Sequence, residues 1–240
     1  MAKSSQVKWP NNLPTNDRLA IASNRVEKLL DHWITILAIR ESNAQMNSLQ
    51  LRKQIPKSYA ANCYNYLSYS QRRYELICFT AVWDKSSEDR DSIPTIFRLI
   101  NDPKVRSAIV AKAASNYQQS TQHAAIDEYM VRRQREEIAK AKGQLMKLET
   151  LVRLISNHDT VKKIIAYRDE TIAHSLSKSV SQVTPYQIPN AKGVWDLTEK
   201  CIVLLNSLVR NSGFDFKGSV EMHHRNAEYF WGGLTVKVKG

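Results

Sequence analysis

An arginine and a histidine that could share phosphate chemistry sit in one segment of this chain, Arg168-Asp169-Glu170-Thr171-Ile172-Ala173-His174. Histidine exchanges protons near neutrality, its unperturbed pKa being about 6.5, while arginine stays charged and can hold a phosphate through two hydrogen bonds. Five residues intervene, and at roughly 100° per residue the two side chains lie about 120° apart around a helix axis. They do not share a face. Arg168, Thr171 and His174 instead form an oblique row, so the pair can converge on one phosphate only at the edge of a groove, or where a second copy of the helix closes the site. Asp169 can orient a catalytic group or pair with Arg168. A salt-bridged helix surface is the competing interpretation of the whole segment.

The surrounding sequence must supply helices to carry these residues. Residues 1–14, with Pro10 and Pro14 among polar residues, predict an irregular lead-in. From Asn16 or Asp17 as N-cap, Leu19, Ala22, Val26, Leu29/Leu30, Trp33 and Leu37 follow a helical period that runs to about Ser48. A break at Gln54-Ile55-Pro56-Lys57 precedes a helix capped near Ser58, and Asp84 to Asp91 is polar enough for a loop. Ser92 and Asp102-Pro103 each signal a helix start. Ala124 to about Ser156 predicts a long charged helix, and Asp159 or Asn157 caps the helix that carries the motif. Ser175 to Asn190 is a loop, Ala191 to Asn211 a helix stopped by Gly213, and Val220 to Trp231 a short helix. Leu234 to Val238 alternates like a strand. The organisation that follows is a lead-in at 1–14, a helical domain at 15–212 and a C-terminal extension at 213–240.

Composition sets the class. Seven Gly and seven Pro leave little material for the tight turns of a multi-stranded fold, so the fold class is all-α. No apolar run approaches the roughly 20 residues needed to cross a bilayer, and the first residues carry no apolar stretch like that of a secretory signal. A soluble, cytoplasmic protein is expected. Cys63, Cys78 and Cys201 are odd in number and set in apolar patterns, as reduced buried thiols would be. A net charge of +12, from 35 Lys and Arg against 23 Asp and Glu, favours a polyanionic partner.

Other candidates are weaker. Arg132, Arg133 and Arg135, with Lys140, Lys142 and Lys147, can track a phosphate backbone, although Glu136 and Glu137 interrupt them and a solvated face explains them equally. Tyr59, Tyr64, Tyr66, Tyr69 and Tyr74 can stack on bases, but at helical spacing beside Leu67 and Ile77 core packing is the stronger expectation. His223-His224 beside Glu221 lacks a completing ligand set, so no metal site is expected.

The motif segment resembles the HEPN families. Their members carry an Arg, four to six intervening residues and a His, often with a polar residue after the Arg and a small one before the His, as Asp169 and Ala173 are here. Trp83-Asp84, followed by Ser92-Ile93-Pro94, is similar to the abortive-infection branch, and the resemblance spans most of residues 15–212. It implies a helical bundle with long antiparallel helices, working as a homodimer that cleaves RNA without metal or other cofactor. In that picture Arg168 neutralises the scissile phosphate and His174 is the general acid or base for attack by the ribose 2′-hydroxyl. It also implies a toxin or abortive-infection effector that an antitoxin protein can neutralise. The alternative is a non-catalytic HEPN-like module that binds RNA or protein. Some HEPN toxins carry a Tyr two positions after the His that a partner modifies, whereas Leu176 stands here, so that mode of silencing is not expected.

Overall fold

The computed structural model describes residues 9–55, 59–115, 124–173 and 191–235. After turns at residues 9–13, the helices are α1 (Thr15–Met46), α2 (Leu49–Lys53), α3 (Tyr59–Val82), α4 (Ile93–Ile100), α5 (Pro103–Ser115), α6 (Ala124–Ser156), α7 (Asp159–Ala173), α8 (Ala191–Leu205) and α9 (Phe216–Gly232). No strand occurs among the described residues, as the scarcity of turn formers leads one to expect. The fold is all-α, and no described helix is long and apolar enough to cross a membrane.

Two compact units partition the chain. One comprises Met1–Leu29, Trp83–His158 and Lys192–Phe214; the other comprises Leu30–Val82, Asp159–Ala191 and Asp215–Gly240.

In the first unit, Val26, Ile93, Ile96, Leu99, Val105, Leu148, Ile155, Cys201 and Ile202 are almost fully buried. Burial alone pushes the Cys201 thiol up to about 12, so it behaves as a small apolar residue. Ser92 accepts from Thr95 N and starts α4, while Asp102 Oδ1 accepts from Lys104 N at 2.9 Å and starts α5. At the far end of α4, buried Arg18 of α1 donates to the carbonyl oxygens of Leu99 at 2.9 Å and Arg98 at 3.3 Å and pairs with Asp102 at 3.5 Å. Those carbonyls would otherwise lack partners inside the unit. Arg25 does the same for the loop before α4: its guanidinium donates to the backbone oxygens of Ser87, Glu88 and Arg90.

In the second unit, Trp33, Ile36 and Leu37 of α1 and Phe79 and Val82 of α3 are buried, with the Trp33 and Phe79 rings 6.4 Å apart. His32 Nε2 donates to Cys78 O at 2.9 Å. Helix α9 rests on α1 through His224 Nδ1 and Glu41 Oε2, 3.0 Å apart, and through Trp231 Nε1, which donates to Ser42 Oγ at 2.9 Å.

Several details correct the sequence expectations. Helix α1 starts at Thr15 and ends at Met46, and the five-residue α2, capped by Ser48, follows it. Helix α8 runs into a π-helical turn, Asn206–Arg210, and the stop is Asn211 in the left-handed region at φ 54°, not Gly213. Asn tolerates that backbone region better than most non-glycine residues. Leu234 and Thr235 are not in a strand, and the remainder of that segment lies outside the described residues. Cys63 is exposed rather than buried. Tyr66 and Tyr74 are 71% and 52% exposed, which overturns core packing for both. The Ser175 to Asn190 segment lies outside the described residues.

Candidate functional site

Helix α7 packs against α3 because Val161, Ile164 and Tyr167 recur every third residue and are all buried. Arg168 follows the last of these, at the margin of the packed stripe. Its side chain is 18% exposed, so most of the stem is covered. Nε and Nη2 both donate to Asp169 Oδ1, at 2.9 and 2.8 Å. Nη1 reaches Thr80 Oγ1 of α3 at 3.5 Å. The Thr80 hydroxyl donates to Ile77 O at 2.8 Å, which turns an oxygen lone pair toward the guanidinium. Thr80 is the residue that sequence reasoning missed. The available signal was a hydroxyl on an apolar face, between buried Phe79 and Val82.

Asp169 is 61% exposed, so the ion pair is open to water on one side. An incoming phosphate can compete for the same guanidinium edge without breaking a buried contact. Helix α7 is described through Ala173, the residue before His174; His174 lies outside the described residues.

The basic residues of α6 belong to the first unit and fall into two groups. Arg133 pairs with Glu136 at 2.8 Å and Glu137 at 4.0 Å, and Lys140 pairs with Glu137 at 3.2 Å. Arg132 lies over the Tyr129 ring, 5.7 Å from its centroid, and Arg135 is exposed. No carboxylate pairs with either among the described residues.

The residues that carried the abortive-infection resemblance hold the first unit together. Trp83 Nε1 donates to Thr198 Oγ1 at 3.0 Å, both side chains being buried, and Ser92 Oγ donates to Asp84 O at 2.9 Å. Asp84 also pairs with Arg90 at 3.0 Å. These contacts fix the loop between α3 and α4, and none of the atoms is offered to a ligand. His224, paired with Glu41, serves the docking of α9. Among the described residues no group of three or more His, Cys, Asp and Glu side chains could hold a metal ion.

Comparison with curated proteins and with solved structures gives no match. The HEPN_AbiU2 family model, described as AbiU2, matches residues 20–230. That span runs from the first turns of α1 almost to the end of α9 and contains the Arg168 to His174 segment. The chain therefore belongs to the AbiU2 family of HEPN proteins.

Proposed function

We propose that this chain is a metal-independent endoribonuclease, acting in the cytoplasm as a toxin or abortive-infection effector. The supporting observation is the position of Arg168, a largely covered cation whose ion-pair partner Asp169 is open to water, on a helix of an HEPN chain. Arg168 neutralises the phosphate as negative charge builds on its oxygens. The ribose 2′-hydroxyl attacks phosphorus and the 5′-oxygen leaves. His174 serves this step by taking the proton from the nucleophile or giving one to the leaving group. The products are a 2′,3′-cyclic phosphate and a 5′-hydroxyl.

One observation favours a second reading, a non-catalytic module that binds RNA or protein: the Arg168 edge that would face a phosphate is donated to Asp169. Induced expression separates the two. The nuclease reading expects growth arrest and cleaved cellular RNA, both lost in Arg168→Ala and His174→Ala chains that still melt cooperatively. Equal cleavage by either folded variant and the wild type refutes the catalytic assignment. A harmless wild type that binds RNA and leaves it whole establishes the second reading.

The working unit in this proposal is a twofold homodimer. The offset of about 120° between Arg168 and His174 leaves one copy with an oblique row, whereas a mate places both pairs in one groove. A strictly monomeric protein that cleaves RNA at full rate would overturn the composite site and leave the nuclease assignment standing.

A further inference from the structure

We infer that the outer face of α6 is a track for a single strand of nucleic acid, held by Arg132, Arg135, Lys142 and Lys147, with Tyr129 as a stacking platform at one end. The inference rests on the ribonuclease reading only in taking that strand to be RNA.

The carboxylates of this region sort the cations. Glu136 and Glu137 engage Arg133 and Lys140. Glu149 engages Arg106 of α5 at 2.7 Å and Arg153 at 2.6 Å. Glu128 is exposed on α6 and forms no ion pair with Arg132. That leaves Arg132, Arg135, Lys142 and Lys147 exposed, with no carboxylate partner among the described residues. A merely solubilising helix face intersperses and pairs opposite signs along its length. Here the pairing serves one set of cations and leaves a second set whole.

The four are arranged as a track. At roughly 100° and 1.5 Å per residue, Arg135 and Lys142 lie on one side of the outward line through Arg132, Lys147 lies on the other, and the set spans about 22 Å. Along that line stand two exposed small residues one turn apart, Ala139 and Gly143. A side chain added at Gly143 would meet nothing within 4 Å. Glycine is among the poorest residues inside a helix, and packing does not explain this one. Its effect is a low floor between the flanking cations, where a sugar-phosphate backbone can approach closely. Tyr129 is 49% exposed beside Arg132, and an aromatic ring next to a guanidinium offers a face to an unpaired base. A duplex keeps its bases stacked inside, which makes the single strand the better occupant.

The test measures binding of a fluorescein-labelled 20-nucleotide oligouridylate by anisotropy between 50 and 200 mM salt. It is made in the Arg168→Ala chain, with and without Arg132→Gln, Arg135→Gln, Lys142→Gln and Lys147→Gln together. Four phosphate contacts on a single strand give a log-log salt slope of about −2.8. They therefore account for a loss of about 50-fold over that fourfold rise in salt, and the substituted chain should lose that component. Gly143→Leu should weaken binding about tenfold while leaving the melting temperature equal or higher. Unchanged affinity and slope in the quadruple variant, or unchanged binding by Gly143→Leu, overturns the track. Equal affinity for a duplex of the same length overturns the single-strand assignment, and equal competition by polyglutamate overturns nucleic acid. RNA cleavage by the wild-type chain is scored separately. A chain that never cleaves but binds through α6 sinks the nuclease reading alone; one whose Arg168→Ala variant stops cleaving but whose α6 variant binds normally sinks the track alone.

Discussion

Asp169→Asn should separate positioning from chemistry at the motif. Arg168 donates Nε and Nη2 to one carboxylate oxygen, and that carboxylate belongs to a side chain 61% exposed. Ion pairs open to water contribute about 0.2–1 kcal/mol. Losing this one therefore changes the population of the held Arg168 rotamer by about fivefold at most. Asn keeps an acceptor oxygen in the same place, and the variant also removes a negative charge that competes with phosphate. Cleavage by Asp169→Asn should thus stay within about fivefold of wild type. If Arg168 holds the phosphate as proposed, Arg168→Ala removes two charge-assisted hydrogen bonds, at about 1.5–3 kcal/mol each. The sum of about 3–6 kcal/mol corresponds to a loss of about 10²- to 10⁴-fold. Single-turnover cleavage of a labelled RNA reads both, with circular dichroism melts as the folding control. A loss of 10²-fold or more in Asp169→Asn would refute the positioning argument and put its carboxylate on the reacting atoms.

Thr198→Val keeps the shape of the first unit's core but strips Trp83 Nε1 of its acceptor at 3.0 Å. A buried donor left unpaired costs about 1–3 kcal/mol, which lowers the melting temperature by about 2–12 °C in a chain of this size; a shift under about 1 °C would show the bond to be dispensable. Burial holds the Glu75 carboxyl above its usual range, opposed by the hydrogen bond from Asn43 Nδ2 at 2.6 Å and by Arg40 and Arg72. The folded state thus binds this proton more tightly than the unfolded one, so the contribution is full below the ordinary carboxylate pKa and is lost as pH rises through the folded value. Relative to wild type, Glu75→Gln should therefore be more favourable in urea denaturation at pH 7 than at pH 4, and an equal effect at both would contradict the burial argument.

The side-chain caps of α4 and α5 were legible in the sequence. Ser92 and Asp102 place oxygens on the first free N–H groups of α4 and α5, a contact made within three residues of chain. Helix α2 escaped because five residues hold too little of a helical period to register. The end of this helical stretch near Asn211 was legible, but its stop is Asn211 itself in the left-handed conformation, two residues before the glycine that usually takes that role. Periodicity in α3 showed that faces exist without saying which one is covered. Ser68, Cys78, Phe79 and Val82 turned out to be buried, leaving Tyr66 and Tyr74 in water. Within the site, the Arg168–Asp169 pair follows from adjacency alone. Thr80, 88 residues away, requires the packing of α3 on α7.

The same distinction between local and long-range information separates family from activity in this chain. The residues behind the abortive-infection likeness, Trp83, Asp84 and Ser92, spend their polar atoms on Thr198, on Arg90 and on each other. They are scaffold, and the matched span, residues 20–230, contains the described helices from α2 to α8 entire and most of α1 and α9. The chemistry proposed above would rest on far less: one guanidinium at the rim of α7 and the imidazole of His174. An alanine at position 168 would leave the caps, the Arg18 clamp on α4 and the buried faces of every helix intact. Such a chain would still belong to the family and fold the same way while losing the charge that the phosphate needs. Membership is therefore compatible with either reading, and variants at 168 and 174 are what separate them.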